Sequence, residues 1–160
     1  MRIRQIIVLF IAVLAVSAPA WATLDLPLPR FVSLKSEEAN IRKGPGLNYG
    51  IKYVYVKKNI PLEVIAEFEQ WRKVRDIDGD EGWVHRAMLN GKRSITVTNY
   101  THTMYKSPSK DSYPMALVEA GVSAELLECE DTWCKIGVEE QKGWIEREAL
   151  WGVYPDEKVN

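Results

Sequence analysis

Apolar and polar positions follow two regimes along this chain. Residues 6–16 are one uninterrupted apolar run of eleven, preceded by Arg2 and Arg4, followed by Ala20-Trp21-Ala22, with no acidic residue before Asp25. A basic start, an apolar stretch and an A-x-A site predict a secretory signal peptide over residues 1–22, cut after Ala22. Eleven apolar residues fall short of the roughly 20 that span a bilayer, and no later run is long enough to do so. No cysteine stands near the end of the run, so no lipid-modified amino terminus is expected. Residues 23–29 read as a short extension.

From Arg30 onward the pattern changes to short β-branched and aromatic runs between turn signals, which favours strands over helices. Residues 51–56 (IKYVYV) and 62–68 are expected strands, and Pro61 breaks any helix that would join them. Residues 72–77 and 81–85 form an expected hairpin around Asp78-Gly79, followed by one helical or 3₁₀ turn over 86–89.

The pattern then repeats. LEVIAEFEQW (62–71) returns as AELLECEDTW (124–133), and Gly82-Trp83-Val84-His85-Arg86 as Gly143-Trp144-Ile145-Glu146-Arg147. Ala87-Met88-Leu89 returns as Glu148-Ala149-Leu150, and Ile41-Arg42-Lys43-Gly44-Pro45-Gly46 has a degenerate partner in Met104-Tyr105-Lys106-Ser107-Pro108-Ser109. Blocks matched in one order indicate duplication. The expected fold is all-β, two tandem small barrels of five strands each, over residues 30–93 and 94–155, with a tail at 156–160. A barrel closes because an open sheet this short leaves costly edges. A unit of about 60 residues is marginal alone, so the two are expected to pack together, joined through residues 91–102.

The order N-I-R-x-G-P-G-x-x-Y (40–49), W-R-K-V (71–74), G-W-V (82–84) resembles the bacterial SH3-like domains of cell-envelope proteins. With R-F-V-S-L-K (30–35) and W-G-V-Y-P (151–155), the chain from about 30 to 155 is similar to exported two-repeat SH3-like proteins of Gram-negative, especially alphaproteobacterial, envelopes. The second repeat departs at Tyr105 and Ser107, where the family pattern has Arg and Gly. The resemblance implies a non-catalytic module that binds the cell wall, often the peptide stem or cross-bridge of peptidoglycan. It also implies export to the periplasm, with release from the cell as the alternative.

Charge narrows the partners. Twenty-one Lys plus Arg against 22 Asp plus Glu leave a net charge of -1, so no overall field points to nucleic acid. Residues 30–93 carry 13 basic and 9 acidic groups, and residues 94–160 carry 6 and 12. The simplest reading is two solvated surfaces of different sign. Cys129 and Cys134 flank a hairpin turn and, in an oxidising compartment, are expected to form a disulfide. Their C-x₄-C spacing argues against a redox pair or a metal site.

Catalytic constellations are missing from the sequence. With both cysteines bridged there is no free thiol nucleophile, and two histidines, His85 and His102, cannot build an H-E-x-x-H or three-His zinc site. No G-x-S-x-G elbow or P-loop occurs. Glu37-Glu38 and Glu139-Glu140 imitate a glycosidase pair, but adjacent loop positions fix no separation. The chain is read as a binding protein needing no metal or cofactor.

Small barrels bind extended ligands in aromatic grooves. The candidate ligand-binding residues are Asn40, Arg42, Tyr49, Tyr53, Trp71 and Trp83. Arg42 would pair a stem carboxylate, and Tyr49 or Trp71 would pack on an aliphatic chain or a sugar face. Trp83 and Trp144, each after Gly in a strand, are expected in the core more than at a contact, while Trp71 and Trp133 are evenly balanced. The alternative function is an adaptor that docks or regulates an envelope enzyme without wall affinity, because Tyr, Trp and Arg also dominate protein interfaces.

Overall fold

The computed structural model describes residues 26–160; the leader and its cleavage after Ala22 lie outside the described residues. Two seven-stranded antiparallel sheets follow each other. The first contains β1 (Arg30–Leu34), β2 (Ala39–Arg42), β3 (Ile51–Tyr55), β4 (Pro61–Phe68), β5 (Trp71–Arg75), β6 (Glu81–His85) and β7 (Leu89–Asn90). The second contains β8 (Ser94–Val97), β9 (His102–Tyr105), β10 (Pro114–Val118), β11 (Ser123–Glu130), β12 (Trp133–Val138), β13 (Gln141–Glu146) and β14 (Leu150–Trp151). A 3₁₀ turn precedes the last strand of each unit, at Arg86–Met88 and Arg147–Ala149.

The strand orders, β3-β2-β6-β5-β4-β1-β7 and β10-β9-β13-β12-β11-β8-β14, are one order displaced by seven strands. That equivalence shows the duplication in three dimensions. Each unit has two strands more than expected, because β1 and β8 pair with the last short strands of their units as well as with β4 and β11. The passage between units is also shorter than expected. Only residues 91–93 separate β7 from β8.

Period-two alternation builds two separate cores. Leu34, Ile41, Leu62, Val64, Val74 and Val84 fill the first unit, and Ile95, Val97, Met104, Leu126, Ile136 and Ile145 are among those filling the second. Gly82 faces the first core opposite Val74. A Cβ there would overlap Ile41 Cγ2, so the crossing of β2 and β6 admits no side chain. Gly143 plays the same part, where a Cβ would lie 2.6 Å from Met104 Cγ.

The expected hairpin around Asp78-Gly79 forms between β5 and β6, with a longer loop than a two-residue turn. Asp78-Gly79 lies in a five-residue loop, 76–80, between Arg75 and its partner Glu81. Asp76 organises it: the carboxylate accepts from the Asp78 and Asp80 amides at 3.1 and 2.9 Å and from Tyr55 Oη at 2.6 Å. The two-residue turns fall on Glu69-Gln70, Asp131-Thr132 and Glu139-Glu140. The first residue of each has positive φ without being glycine.

Cys129 and Cys134 are registered partners on β11 and β12 and are disulfide-bonded. Chain entropy for so short a closed loop gives about 2 kcal/mol. Replacing both by serine should lower stability by about that much, read as a urea midpoint shift at constant slope.

The units are joined by an interlocked seam. Phe31 of β1 packs edge-on against Trp151 (centroids 5.2 Å) and tilted against Tyr154 (4.7 Å). Tyr154 Oη donates to Glu63 Oε1 at 2.9 Å, and Ser33 and Ser94 hydroxyls meet at 2.6 Å. Segment 152–159 is fastened to the second unit. Arg147 donates to the Tyr154 and Glu157 carbonyls at 2.8 and 2.7 Å, and the Cys129 amide donates to Val159 O at 2.9 Å. Arg93 binds the Glu157 carboxylate and the Gly152 carbonyl.

Burial of Glu157 opposes its ionisation, but hydrogen bonds from Arg93 and the Tyr154 amide outweigh this and hold its carboxyl below the usual range. A lowered folded value contributes stability that is present above the unfolded carboxyl pKa of about 4.3 and is lost as pH falls through the folded one. Melting temperature should therefore decline in acid below that point, less steeply in Glu157→Gln, as followed by circular dichroism.

Candidate functional site

Alternation on β6 turns Gly82 and Val84 inward and Glu81, Trp83 and His85 outward. Trp83 is therefore on the outer face and half-buried, which corrects its expected place in the core. Its strand neighbours are Lys73 on β5 and Arg42 on β2. The result is a row across three strands, cation, indole, cation, above a core sealed beneath by Gly82. Lys73 Nζ is 2.6 Å from Glu81 Oε2 in the same face.

Trp71 shares this face by parity but is only 8% exposed, with its ring edge-on to His85 at 5.4 Å. His85 Nδ1 accepts from the Ala87 amide at 3.3 Å and caps the 3₁₀ turn, a structural duty. Trp71 thus supports the site more than it lines it.

Arg42 anchors the loop that borders the face. One of its guanidinium nitrogens, Nη1, donates to the Tyr49 and Leu47 carbonyls at 2.8 and 3.3 Å. Tyr49, 44% exposed, closes its ring over Gly44, where any Cβ would meet the ring carbons. Gly44 and Tyr49 thus explain each other. Asn40 is exposed on the outer side of β2, opposite Val54.

Tyr53 belongs elsewhere. It pairs with the core residue Ile41, packs against the core, and stands edge-on to Tyr55 at 5.3 Å. Burial raises its phenol pKa. The structure therefore brings together Arg42, Tyr49, Trp83 and, behind them, Trp71, and puts Tyr53 on the opposite side of the sheet. Lys73 was not singled out from sequence, although its place two residues after Trp71 signals a shared face.

Among the described residues, no group of three or more His, Cys, Asp or Glu is placed to hold a metal, and no helix is long and apolar enough to cross a membrane.

Fold and face together define a tandem of small all-β barrels whose first member presents an aromatic strip flanked by cations. The chain matches the bacterial SH3 domain family over residues 35–91 and again over 100–152, and it belongs to that family. Such domains are commonly cell-wall binding modules and occur in envelope proteins. A curated relative from Bacillus subtilis (strain 168), "Putative N-acetylmuramoyl-L-alanine amidase YrvJ", is 24% identical over 128 residues, 73% of this chain and 24% of its own length. Among solved structures, NlpC2 from Trichomonas vaginalis is similar at 18% identity and a TM-score of 0.37, over 81% of this chain and 50% of that one. An NlpC/P60 family protein from Bacillus cereus ATCC 10987 is similar at 13% identity and a TM-score of 0.35, over 76% and 55%. This chain spans less than two thirds of each of these proteins.

Proposed function

We propose that the protein is an exported, non-catalytic binding module that recognises peptidoglycan, with the outer face of the first unit meeting the stem peptide. The supporting observation is the Arg42, Trp83, Lys73 row across β2, β6 and β5. With Nη1 of Arg42 held by the loop, its Nε and Nη2 can take a carboxylate, a charge-assisted pair of the strong kind. The half-buried indole beside it offers a flat apolar surface to an aliphatic stem residue. A loop held by Arg42 and Tyr49 keeps the mouth in shape before binding, which lowers the ordering cost.

Co-sedimentation with purified sacculi tests this reading. The wild-type protein should pellet at low and moderate salt, and Arg42→Ala/Tyr49→Ala should not. Absence of wild-type pelleting at both salts would defeat wall recognition.

One observation favours the adaptor instead. The edge strands β3 and β10 expose Ile51 and Val54, and Met115 and Leu117, and unpaired edges accept an extended partner segment. Crosslinking in cells at Val54 and Leu117 would capture such a partner; the wall-binding reading expects none there.

A further inference from the structure

Each sheet ends on one bare edge of useful length. β3 and β10 have a single strand neighbour, whereas the strands at the opposite ends, β7 and β14, are two residues long. Alternation sorts the side chains of both edges. Tyr53 and Tyr55 pack against the first core, which turns Lys52, Val54 and Val56 to the outer face. Ala116 and Val118 pack against the second core, which turns Leu117 outward. Val56 is 78% exposed and Leu117 72%.

Folded proteins stop such edges from pairing with charges, prolines or bulges placed in the strand. Those devices are weak here. β10 has no charged residue, and its proline and bulge lie at its start, which leaves Ala116 to Val118 regular. β3 has one charge, Lys52, whose ammonium turns back onto its own unit, 3.0 Å from Glu81 O and 3.5 Å from Asp80 Oδ1.

Charge selects the occupant. The unit that owns β3 carries 13 basic and 9 acidic groups, and Lys57 and Lys58 continue its edge. The unit that owns β10 carries 6 and 12, and Leu117 lines a groove with Val122 and Val138 that Glu119 and Glu139 border. Pairing two β3 edges or two β10 edges would bring like charges together, whereas β3 against β10 joins opposite ones. Val54 of one copy and Leu117 of the next would then share the outer side of one continuous sheet.

We propose that the protein associates with itself head to tail, β3 of one copy adding to β10 of the next. This goes beyond the binding reading above and does not depend on it. A contact between two different patches is heterologous, so a copy that has used one edge still offers the other, and the assembly closes into a ring or runs on as a chain.

Sedimentation velocity of the whole purified protein tests the pairing. Wild type should show a mean mass above that of one copy, rising with concentration and falling as salt is raised. Leu117→Lys sets a cation against the lysine-rich edge, and Val54→Glu sets a carboxylate against the acidic one. Each variant alone should sediment as a single copy. Mixed in equal amounts they should associate again, because each supplies the edge that the other has lost. Both positions are exposed, so the circular dichroism spectra should match wild type.

Wild type that stays a single copy at every concentration would overturn the proposal and leave these edges to the foreign partner of the adaptor reading. If Val54→Glu still associates and Leu117→Lys does not, the contact is β10 on β10; the reverse makes it β3 on β3. Association by both variants alone would remove the contact from these edges. Each of these results, and a mixture that fails to recover association, overturns head-to-tail pairing.

Discussion

Gly152→Ala should destabilise the protein by about 3 kcal/mol or more, since two costs of roughly 1–3 kcal/mol each coincide there. Gly152 has φ +116°, a conformation that side chains resist. An added Cβ would also lie 2.5 Å from Ser94 O, 3.0 Å from Ile95 Cα and 3.1 Å from Pro61 Cβ. Two of these are backbone atoms of β8, and the third belongs to the first unit. None can move aside as a flexible side chain would. The strain therefore falls on the seam that Phe31, Tyr154 and Glu63 hold together.

Gly79→Ala separates the two terms. Gly79 has φ +84° with nothing within 4 Å of an added Cβ, so its replacement carries the backbone penalty alone, about 1 kcal/mol. Urea midpoints at equal slopes would report both values. Equal losses at the two positions would refute the claim that the seam is closely packed at Gly152.

Trp83→Ala should reduce sacculus binding by at least about tenfold and leave the fold intact. Trp83 is half-buried on the outer face, and the core beneath it is closed by Gly82, Val84 and Ile41, so truncation opens no internal cavity. What is lost is the flat apolar surface between Arg42 and Lys73. Tyr53→Phe is the matched control: it alters a candidate residue on the opposite side of the sheet and should pellet like wild type. Retained pelleting by Trp83→Ala, or lost pelleting by Tyr53→Phe, would move the site away from this face. Measuring both variants across salt adds a second readout, because the Arg42 and Lys73 part weakens with ionic strength and the indole part does not.

The two predictions draw on features of unequal visibility in the sequence. Duplication was legible because both copies keep the same blocks in the same order, and strand character was legible because β-branched and aromatic residues crowd short runs around Pro and Gly. The facing cysteines followed from the repeat, since it set Glu130 to Trp133 at the turn of a hairpin. Trp83 was misread because a large aromatic after glycine suggests burial, yet one residue of parity separates core from surface in a strand. Parity here is set by Gly82, which must face Ile41. Tyr53 was misplaced by the same rule, one strand further along.

The residues by themselves determined two all-β repeats, their family resemblance and the hairpin cysteines, because those depend on local propensity and short spacings. Only the tertiary structure decided which tryptophan faces out and how Gly152, Tyr154 and Glu157 lock the second unit onto the first. Each of these depends on register or on partners dozens of residues apart, from Tyr154 to Glu63 for instance, and pairings at that range are fixed by packing the whole chain.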